Sequence, residues 1–159
     1  MNLRKGFTLV EILIVVIILG ILAAIVIPQF TEASDSARES ALTSDLQTLR
    51  SQIQLYKIQH HDKLPCQYSS DSGATWTDDS SADNFKARLT SKTDEWGNVS
   101  ATGAYGPYLQ KFPKNPFVSD SVADTVELGT GSPGGGDHGW YFNTSSGQIS
   151  PDDDAHKDL

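Results

Sequence analysis

Cysteine is almost absent from this chain of 159 residues, in which Cys66 is the only one. An intrachain disulfide is therefore excluded, and we interpret the thiol as buried or idle, with an intermolecular bridge as the alternative. Catalytic signatures are missing as well, since the sequence has neither a G-x-S-x-G elbow nor a Cys–His nucleophile pattern. No G-K-[S/T] follows the glycine run of residues 129–136, which predicts a loop and not a phosphate site. We expect a protein that is not an enzyme.

Basic residues are scarce, and the formal net charge is −8. Ten of the 12 basic residues but 19 of the 20 acidic residues follow Pro28. The part of the chain beyond Pro28 is therefore strongly acidic. This balance argues against binding of nucleic acid or anionic lipid through bulk charge.

Charge is nearly absent from residues 7–27, where Glu11 is the only ionisable side chain. As an α-helix this stretch would be about 32 Å long, which matches the roughly 30 Å hydrocarbon core of a bilayer. We predict a membrane-spanning helix, with Arg4 and Lys5 on the cytoplasmic side. A secretory signal peptide is the alternative, but its apolar core is shorter. A plain signal anchor would leave Glu11 unexplained.

Glu11 is costly inside an apolar helix, by about 2.5–3.5 kcal/mol on insertion scales, and such residues usually have a partner. No Lys, Arg or His lies between Phe7 and Pro28. Cleavage between Gly6 and Phe7 would create an α-amino group four residues before Glu11, on the same helix face. That amine is the predicted partner of Glu11, within the same chain or from a neighbouring copy.

The segment K-G-F-T-L-V-E, residues 5–11, resembles the processing site of the type IV pilin family, which includes pilins and the pseudopilins of type II secretion. The resemblance implies that residues 1–6 are a leader that a prepilin peptidase removes after Gly6. It also implies N-methylation of the exposed Phe7. Gly20 and Pro28 stand where this family places helix-weakening residues. Residues 7–28 would then be the transmembrane and assembly helix.

Residues 29–62 predict an amphipathic continuation of this helix, after a kink at Pro28. The helix should end near residue 62, because Leu64 precedes a proline and is biased away from helical angles. We interpret the adjacent His60 and His61 as the end of the helix and not as a metal site, since neighbouring helical residues point about 100° apart. The apolar stripe recurs at helical spacing and consists of Leu42, Leu46, Leu49, Ile53, Tyr56 and His60.

Residues 63–159 predict a globular head with loops and a small antiparallel sheet, which makes the fold class α+β. A short helix is expected over residues 83–89, with Phe85 and Leu89 facing inward. Short strands are expected at the alternating or aromatic segments, followed by an acidic tail in solvent. The expected strands are residues 124–128, 139–143 and 148–150.

A second segment, G-P-Y-L from residue 106, is similar to the corresponding segment of the major pseudopilins of type II secretion. Proteins of this group often bind calcium in a C-terminal acidic loop. Here the turn of residues 144–147 has no acidic residue, and Asp137, Asp152 and Asp153 are the nearest calcium candidates. This departure from the family pattern favours a chain without a metal or other cofactor, with calcium as the alternative.

The resemblance implies a structural subunit that polymerises through its N-terminal helix into a type II secretion pseudopilus, which drives protein export. The alternative is a major or minor subunit of a type IV pilus for adhesion, motility or DNA uptake. A membrane-anchored enzyme or binding protein is the competing hypothesis from another class. Expected partners are copies of the chain, the prepilin peptidase, an inner-membrane assembly platform and minor pilins or pseudopilins. The expected location is the bacterial inner membrane, single-pass with the head outside the cytoplasm, and then a periplasmic or surface filament.

Overall fold

The computed structural model describes residues 6–159, so the predicted leader lies outside the described residues except for Gly6. It divides into two compact units, one ending at Ser40 and one beginning at Ala41. The helix α1, Leu9–Gln59, belongs to both units, and every other element belongs to the second. These elements are β1 (Gln67–Tyr68), β2 (Thr77–Asp78), α2 (Ala82–Thr90), β3 (Val126–Gly129), β4 (Trp140–Asn143) and β5 (Ile149–Pro151).

The first unit exposes a continuous apolar helix surface. Its large apolar side chains are between 41% and 82% exposed, and the helix continues through Gly20 and Pro28. An 18-residue window of α1 reaches a mean hydropathy of 3.3, and the helix is long and apolar enough to cross a membrane. Apolar side chains on every face are typical of a helix that needs lipid or other helices around it.

The core of the second unit is formed around the apolar stripe of α1. The structure confirms the prediction of this stripe. The stripe packs in one core with Phe85 and Leu89 of α2, as expected, and with residues of the three-stranded sheet. A fully buried Leu or Phe side chain contributes about 1.5–3 kcal/mol relative to an exposed one. The stripe therefore anchors the head to the last five turns of the helix. Its members are Leu42, Leu46, Leu49, Ile53, Tyr56 and His60, each at most 2% exposed.

The helix α2 begins at a Ser81 cap, whose side chain accepts a hydrogen bond from the Asn84 N–H. Its buried face also carries Arg88, which the sequence pattern did not predict. The Arg88 guanidinium donates to Asp79 Oδ2 at 2.8 Å and to the carbonyl oxygens of Pro65 and Gly97. One buried cation thereby ties three loop segments together, which offsets the cost of removing it from water.

The sheet of the head is mixed, so the prediction of a purely antiparallel sheet is wrong for one pair of strands. β4 and β5 are antiparallel, but β3 and β4 are parallel, with Val126 opposite Trp140. Parallel neighbours need a connection that returns along the full length of the strand. Residues 130–139, which include five glycines, provide that return. The α+β class with a long helix on a small sheet is confirmed.

The start of the C-terminal tail is buried in the head, so the prediction of a solvated acidic tail is wrong for Asp152 and Asp153, whereas Asp154 is exposed as predicted. Asp152 is 1% exposed and Asp153 is 8% exposed. Arg50 on α1 donates to the carbonyl oxygens of Ile149 and Leu159, at 3.2 Å and 2.7 Å from Nη2. The end of the chain is therefore part of the packed unit.

Candidate functional site

The start of α1 is closed by reciprocal hydrogen bonds between Thr8 and Glu11. Thr8 Oγ1 accepts from the Glu11 N–H at 3.2 Å, while Glu11 Oε2 accepts from the Thr8 N–H at 3.1 Å and from Thr8 Oγ1 at 3.0 Å. The Thr8 carbonyl accepts the first helical bond, from the Ile12 N–H. This arrangement is a capping box, which satisfies donors that a helix start leaves unpaired.

The capping box gives Glu11 a partner within the chain that sequence reasoning missed. The prediction considered only a cation for the carboxylate, whereas two neutral donors of Thr8 reach it. The signal was present as T-x-x-E, the capping-box pattern, over residues 8–11. Both bonds to Glu11 are made by Oε2, so Oε1 can accept from an ammonium group. Glu11 can therefore be satisfied as a helix cap and still pair with an amine.

Gly6 and Phe7 lie before the helix, where the chain is exposed. Phe7 is 81% exposed, and a methyl group on Gly6 would have no neighbour within 4 Å. A protease must bind a substrate segment in an extended form, which a helix interior prevents. The boundary between Gly6 and Phe7 is therefore accessible, two residues before the cap at Thr8.

Gly20 and Pro28 both lie inside α1. No heavy atom approaches within 4 Å of the position that a Gly20 Cβ would occupy. Packing of the isolated chain therefore does not require glycine there. Pro28 removes one helical hydrogen bond because it lacks an N–H. Their role as helix-weakening positions stays a prediction.

The three acidic calcium candidates have different surroundings. Asp137 is exposed, whereas Asp152 lies under the glycine-rich connection and accepts from the backbone N–H groups of Gly134 and His138. Asp153 faces another way and accepts from Asn115 Nδ2 at 3.0 Å. The carboxylates of Asp152 and Asp153 thus serve separate hydrogen-bond networks.

His60 and His61 diverge at the end of α1, in agreement with their interpretation as a helix end. His60 is fully buried, with Nε2 3.0 Å from Thr93 Oγ1. His61 is exposed and stacks on Trp96 at a centroid distance of 4.9 Å. The two rings lie in different environments and form no common site.

Comparison with known proteins gives two kinds of match. Residues 1–27 match the family described as the prokaryotic N-terminal methylation motif. The chain is 31% identical over 114 residues to the type II secretion system core protein G of Pseudomonas aeruginosa, covering 66% of this chain and 79% of that protein. It is 29% identical over 119 residues to the core protein G of Pectobacterium carotovorum, covering 74% of this chain and 64% of that protein.

A pilus protein is also similar to this chain. The type IV narrow pilus major component PilA5 of Thermus thermophilus is 36% identical over 87 residues, which cover 50% of this chain and 72% of that protein. No solved structure matches the chain. The similarity extends beyond the N-terminal motif, because these alignments are much longer than residues 1–27.

Proposed function

Because this chain belongs to the type IV pilin-like family, we propose that it is a structural subunit of a type II secretion pseudopilus, a filament that drives protein export. The observation that carries the proposal is the 31% identity to a type II secretion core protein G across 79% of that protein's length. The relatives are named as components of secretion systems and pili, which are structural assemblies. The exposed apolar helix of the first unit is the part suited to assembly.

The apolar helix must be shielded from water, and before assembly the lipid bilayer would shield it. Residues 7–27 would stay in the membrane after the leader is removed between Gly6 and Phe7, with the acidic head outside the cytoplasm. Moving such a helix from lipid into a bundle gains little from the hydrophobic effect, because lipid tails are as apolar as leucine. Assembly must therefore depend on close packing and on specific polar pairs.

The pair that supplies this specificity is the Phe7 amine and the Glu11 carboxylate. A prepilin peptidase would create the amine, and methylation would leave it cationic. In the membrane, Thr8 satisfies Glu11 Oε2 through the capping box. On docking, the amine of the incoming or neighbouring subunit pairs with the same carboxylate. Only one axial position of two helices allows this contact, so the pair would set the register of the filament.

The N-terminus tests the processing step directly. Intact-mass analysis of the chain purified from membranes should give a protein that begins at Phe7 and carries one methyl group. A Gly6→Val variant should accumulate as a longer precursor, because extra volume at Gly6 crowds the scissile bond, and Gly6→Ala should be processed more slowly than the native chain. An assembled filament whose subunits begin at Met1 would contradict the proposal.

A type IV pilus subunit is the second candidate, and the 36% identity to a Thermus pilus component favours it. Deletion of the gene separates the two functions. A pseudopilus subunit should be needed for release of exported proteins, and sheared cell-surface material should contain no long fibres of the chain. Long external fibres that contain it, with normal export in the deletion strain, would identify a pilus instead.

A further inference from the structure

Three metal-ligating side chains converge at one edge of the mixed sheet. Glu127 lies on β3, His138 lies in the connection just before β4, and Asp152 directly follows β5. His138 Nδ1 is 3.8 Å from Glu127 Oε2 and 3.9 Å from Asp152 Oδ2. One ligand atom from each residue falls within 4.8 Å of the other two. The cluster thus joins three segments that are distant in sequence.

His138 supplies the unusual feature of this cluster. Its Nδ1 atom is buried and has no hydrogen-bond partner among the described residues. A buried polar atom without a partner destabilises the folded state. The ring nitrogen faces two carboxylate oxygens, both too distant for a hydrogen bond. A bound cation at this point would satisfy the nitrogen and both carboxylates together.

Asp152 is held in place before any ligand binds. Its Oδ1 accepts from the Gly134 and Gly135 N–H groups, and its Oδ2 accepts from the His138 N–H at 3.2 Å. Gly134 has a φ of +122°, a backbone conformation that favours glycine. The glycine-rich connection therefore wraps the carboxylate and fixes it beside the imidazole. Its position is set by the fold, because Asp152 is only 1% exposed.

We propose that Glu127, His138 and Asp152 bind one divalent transition-metal ion, with Zn²⁺ as the best match. Zinc takes imidazole nitrogen at about 2.0–2.1 Å and carboxylate oxygen at about 2.0–2.2 Å, usually with four ligands. Shifts of a few tenths of an ångström to about 1 Å would bring the three atoms to these distances. Glu127 can make most of this movement, because its side chain is 49% exposed. Water would supply the fourth ligand.

The ligand set disfavours calcium, which takes 6–8 oxygen ligands and no imidazole. The acidic residues first considered for calcium also include Asp137 and Asp153, which are not in this cluster. The proposed ion has a structural role. It would cross-link three segments of the head and so stabilise it. These segments are β3, the connection of residues 130–139 and the start of the C-terminal tail.

Binding to the full-length chain in detergent tests the site. After treatment with EDTA and its removal, calorimetric titration with Zn²⁺ should show one ion bound per chain. At about 100 times the Kd, the thermal unfolding midpoint of the head should rise by about 5 °C or more. Equal concentrations of Ca²⁺ or Mg²⁺ should produce no such rise.

Matched variants locate the ion. His138→Gln and Glu127→Gln should each weaken zinc binding at least tenfold, while Asp137→Asn and His61→Gln, which change exposed residues outside the cluster, should bind as the native chain does. In EDTA, His138→Gln should unfold at or above the native midpoint, because it removes the unpaired ring nitrogen.

No zinc binding by the native chain, native affinity in His138→Gln, or a larger response to Ca²⁺ than to Zn²⁺ would each overturn the proposal. The assignment to the pilin-like family does not depend on the result.

Discussion

His60 is enclosed at the end of α1 by aromatic rings. Its imidazole stacks on Tyr56 at a centroid distance of 3.8 Å and meets the edges of Tyr105 and Tyr108. Nδ1 lies 2.9 Å from the Tyr56 carbonyl oxygen, and Nε2 lies 3.0 Å from Thr93 Oγ1. Burial lowers the pKa of His60 below its ordinary value, although contacts with Tyr56 and Asp94 oppose the shift. The folded head therefore favours the neutral form of the ring more than the unfolded chain does.

The free energy of unfolding should fall as the pH falls below about 6.5, the pKa of an unperturbed histidine. In that range the unfolded chain binds a proton at His60 more readily than the folded head does, so proton uptake favours unfolding. Denaturant unfolding of the full chain in detergent, followed between pH 7.5 and 5.5, measures the slope. His60→Gln should lower stability at pH 7.5 and reduce the slope, while His61→Gln, at an exposed position, should keep the native slope. An unchanged slope in His60→Gln would refute this account.

Cys66 is the buried thiol that the sequence predicted, with 2% of the residue exposed. Burial raises its pKa to about 11, so very little thiolate is present at neutral pH. We expect iodoacetamide to label Cys66 at pH 8 at least a hundredfold more slowly in the native chain than in the chain unfolded in urea. Mass spectrometry of timed samples measures the rates. Fast labelling of the native chain, or a disulfide-linked dimer in native membranes, would favour the alternative of an intermolecular bridge.

At the scale of elements, a substitution of Gly20 should change the stability of α1 around that position and leave the head unchanged. Space is open around it, so Gly20→Ala should fit without a clash in the isolated chain. Alanine favours a helix over glycine by about 1 kcal/mol, so amide exchange of nearby residues in detergent should slow about fivefold. The head should unfold at its native midpoint. Faster exchange in the variant would contradict a helix-weakening role for this glycine.

Arg50 connects α1 to the C-terminal part of the chain through two backbone carbonyl oxygens. Arg50→Ala removes hydrogen bonds to the carbonyl oxygens of Ile149 and Leu159, which are partly or fully exposed to solvent. We expect a cost of about 1 kcal/mol and a fall of about 2–4 °C in the unfolding midpoint, with faster amide exchange in the tail. Arg38→Ala is the matched control, since its exposed pair with Asp35 should contribute almost nothing. Equal midpoints for the two variants would show that Arg50 does not hold the tail.

Local patterns determined which elements the sequence could predict. The stripe from Leu42 to His60 was readable because its helical period is uninterrupted, and α2 was readable from Phe85 and Leu89. The direction of β3 relative to β4 could not be predicted, because apolar alternation is the same in parallel and antiparallel pairs of strands. The buried positions of Asp152 and Arg88 were also hidden. Composition assigns such charges to solvent, whereas backbone donors and carbonyls from distant loops satisfy them here.

Within the candidate site, the roles of Gly6, Phe7 and Glu11 stay predictions, and the sequence analysis missed one contact of Glu11. The apolar run and its single carboxylate singled out Glu11, and the G-F step singled out the boundary with Phe7. Thr8 was not predicted as a partner because a buried carboxylate is expected to pair with a cation. A pairing between two copies is a property of the assembly, so neither the sequence nor one chain can display it. Because Glu11 accepts hydrogen bonds from Thr8, a variant can separate its role in the capping box from its proposed charge pairing with Phe7.

At the scale of the whole molecule, the two units have different surfaces: the surface of the first unit suits lipid or other helices, and that of the second suits water. The first unit exposes apolar side chains, whereas the second has a closed core and most of the 20 acidic residues of the chain. Like charges on neighbouring heads repel one another, and this repulsion weakens as salt is added. This repulsion favours the helices as the source of the contacts that hold a filament together. The proposed charge pair between the Phe7 amine and Glu11 would be the most specific of these contacts.

Glu11→Leu should enter the membrane and be processed, yet fail to form filaments. Leucine is favourable in lipid by about 0.5 kcal/mol where a carboxylate is costly. A docked Phe7 amine, however, would be buried without its counter-charge, at a cost of roughly 3–5 kcal/mol, or more than a hundredfold in the assembly equilibrium. Glu11→Gln separates the charge from the cap, because glutamine also completes a capping box. It should keep the native helix start and still fail to assemble. Fractionation should find both processed variants in the membrane, and native levels of Glu11→Gln filaments would show that the cap, and not the charge, is what assembly needs.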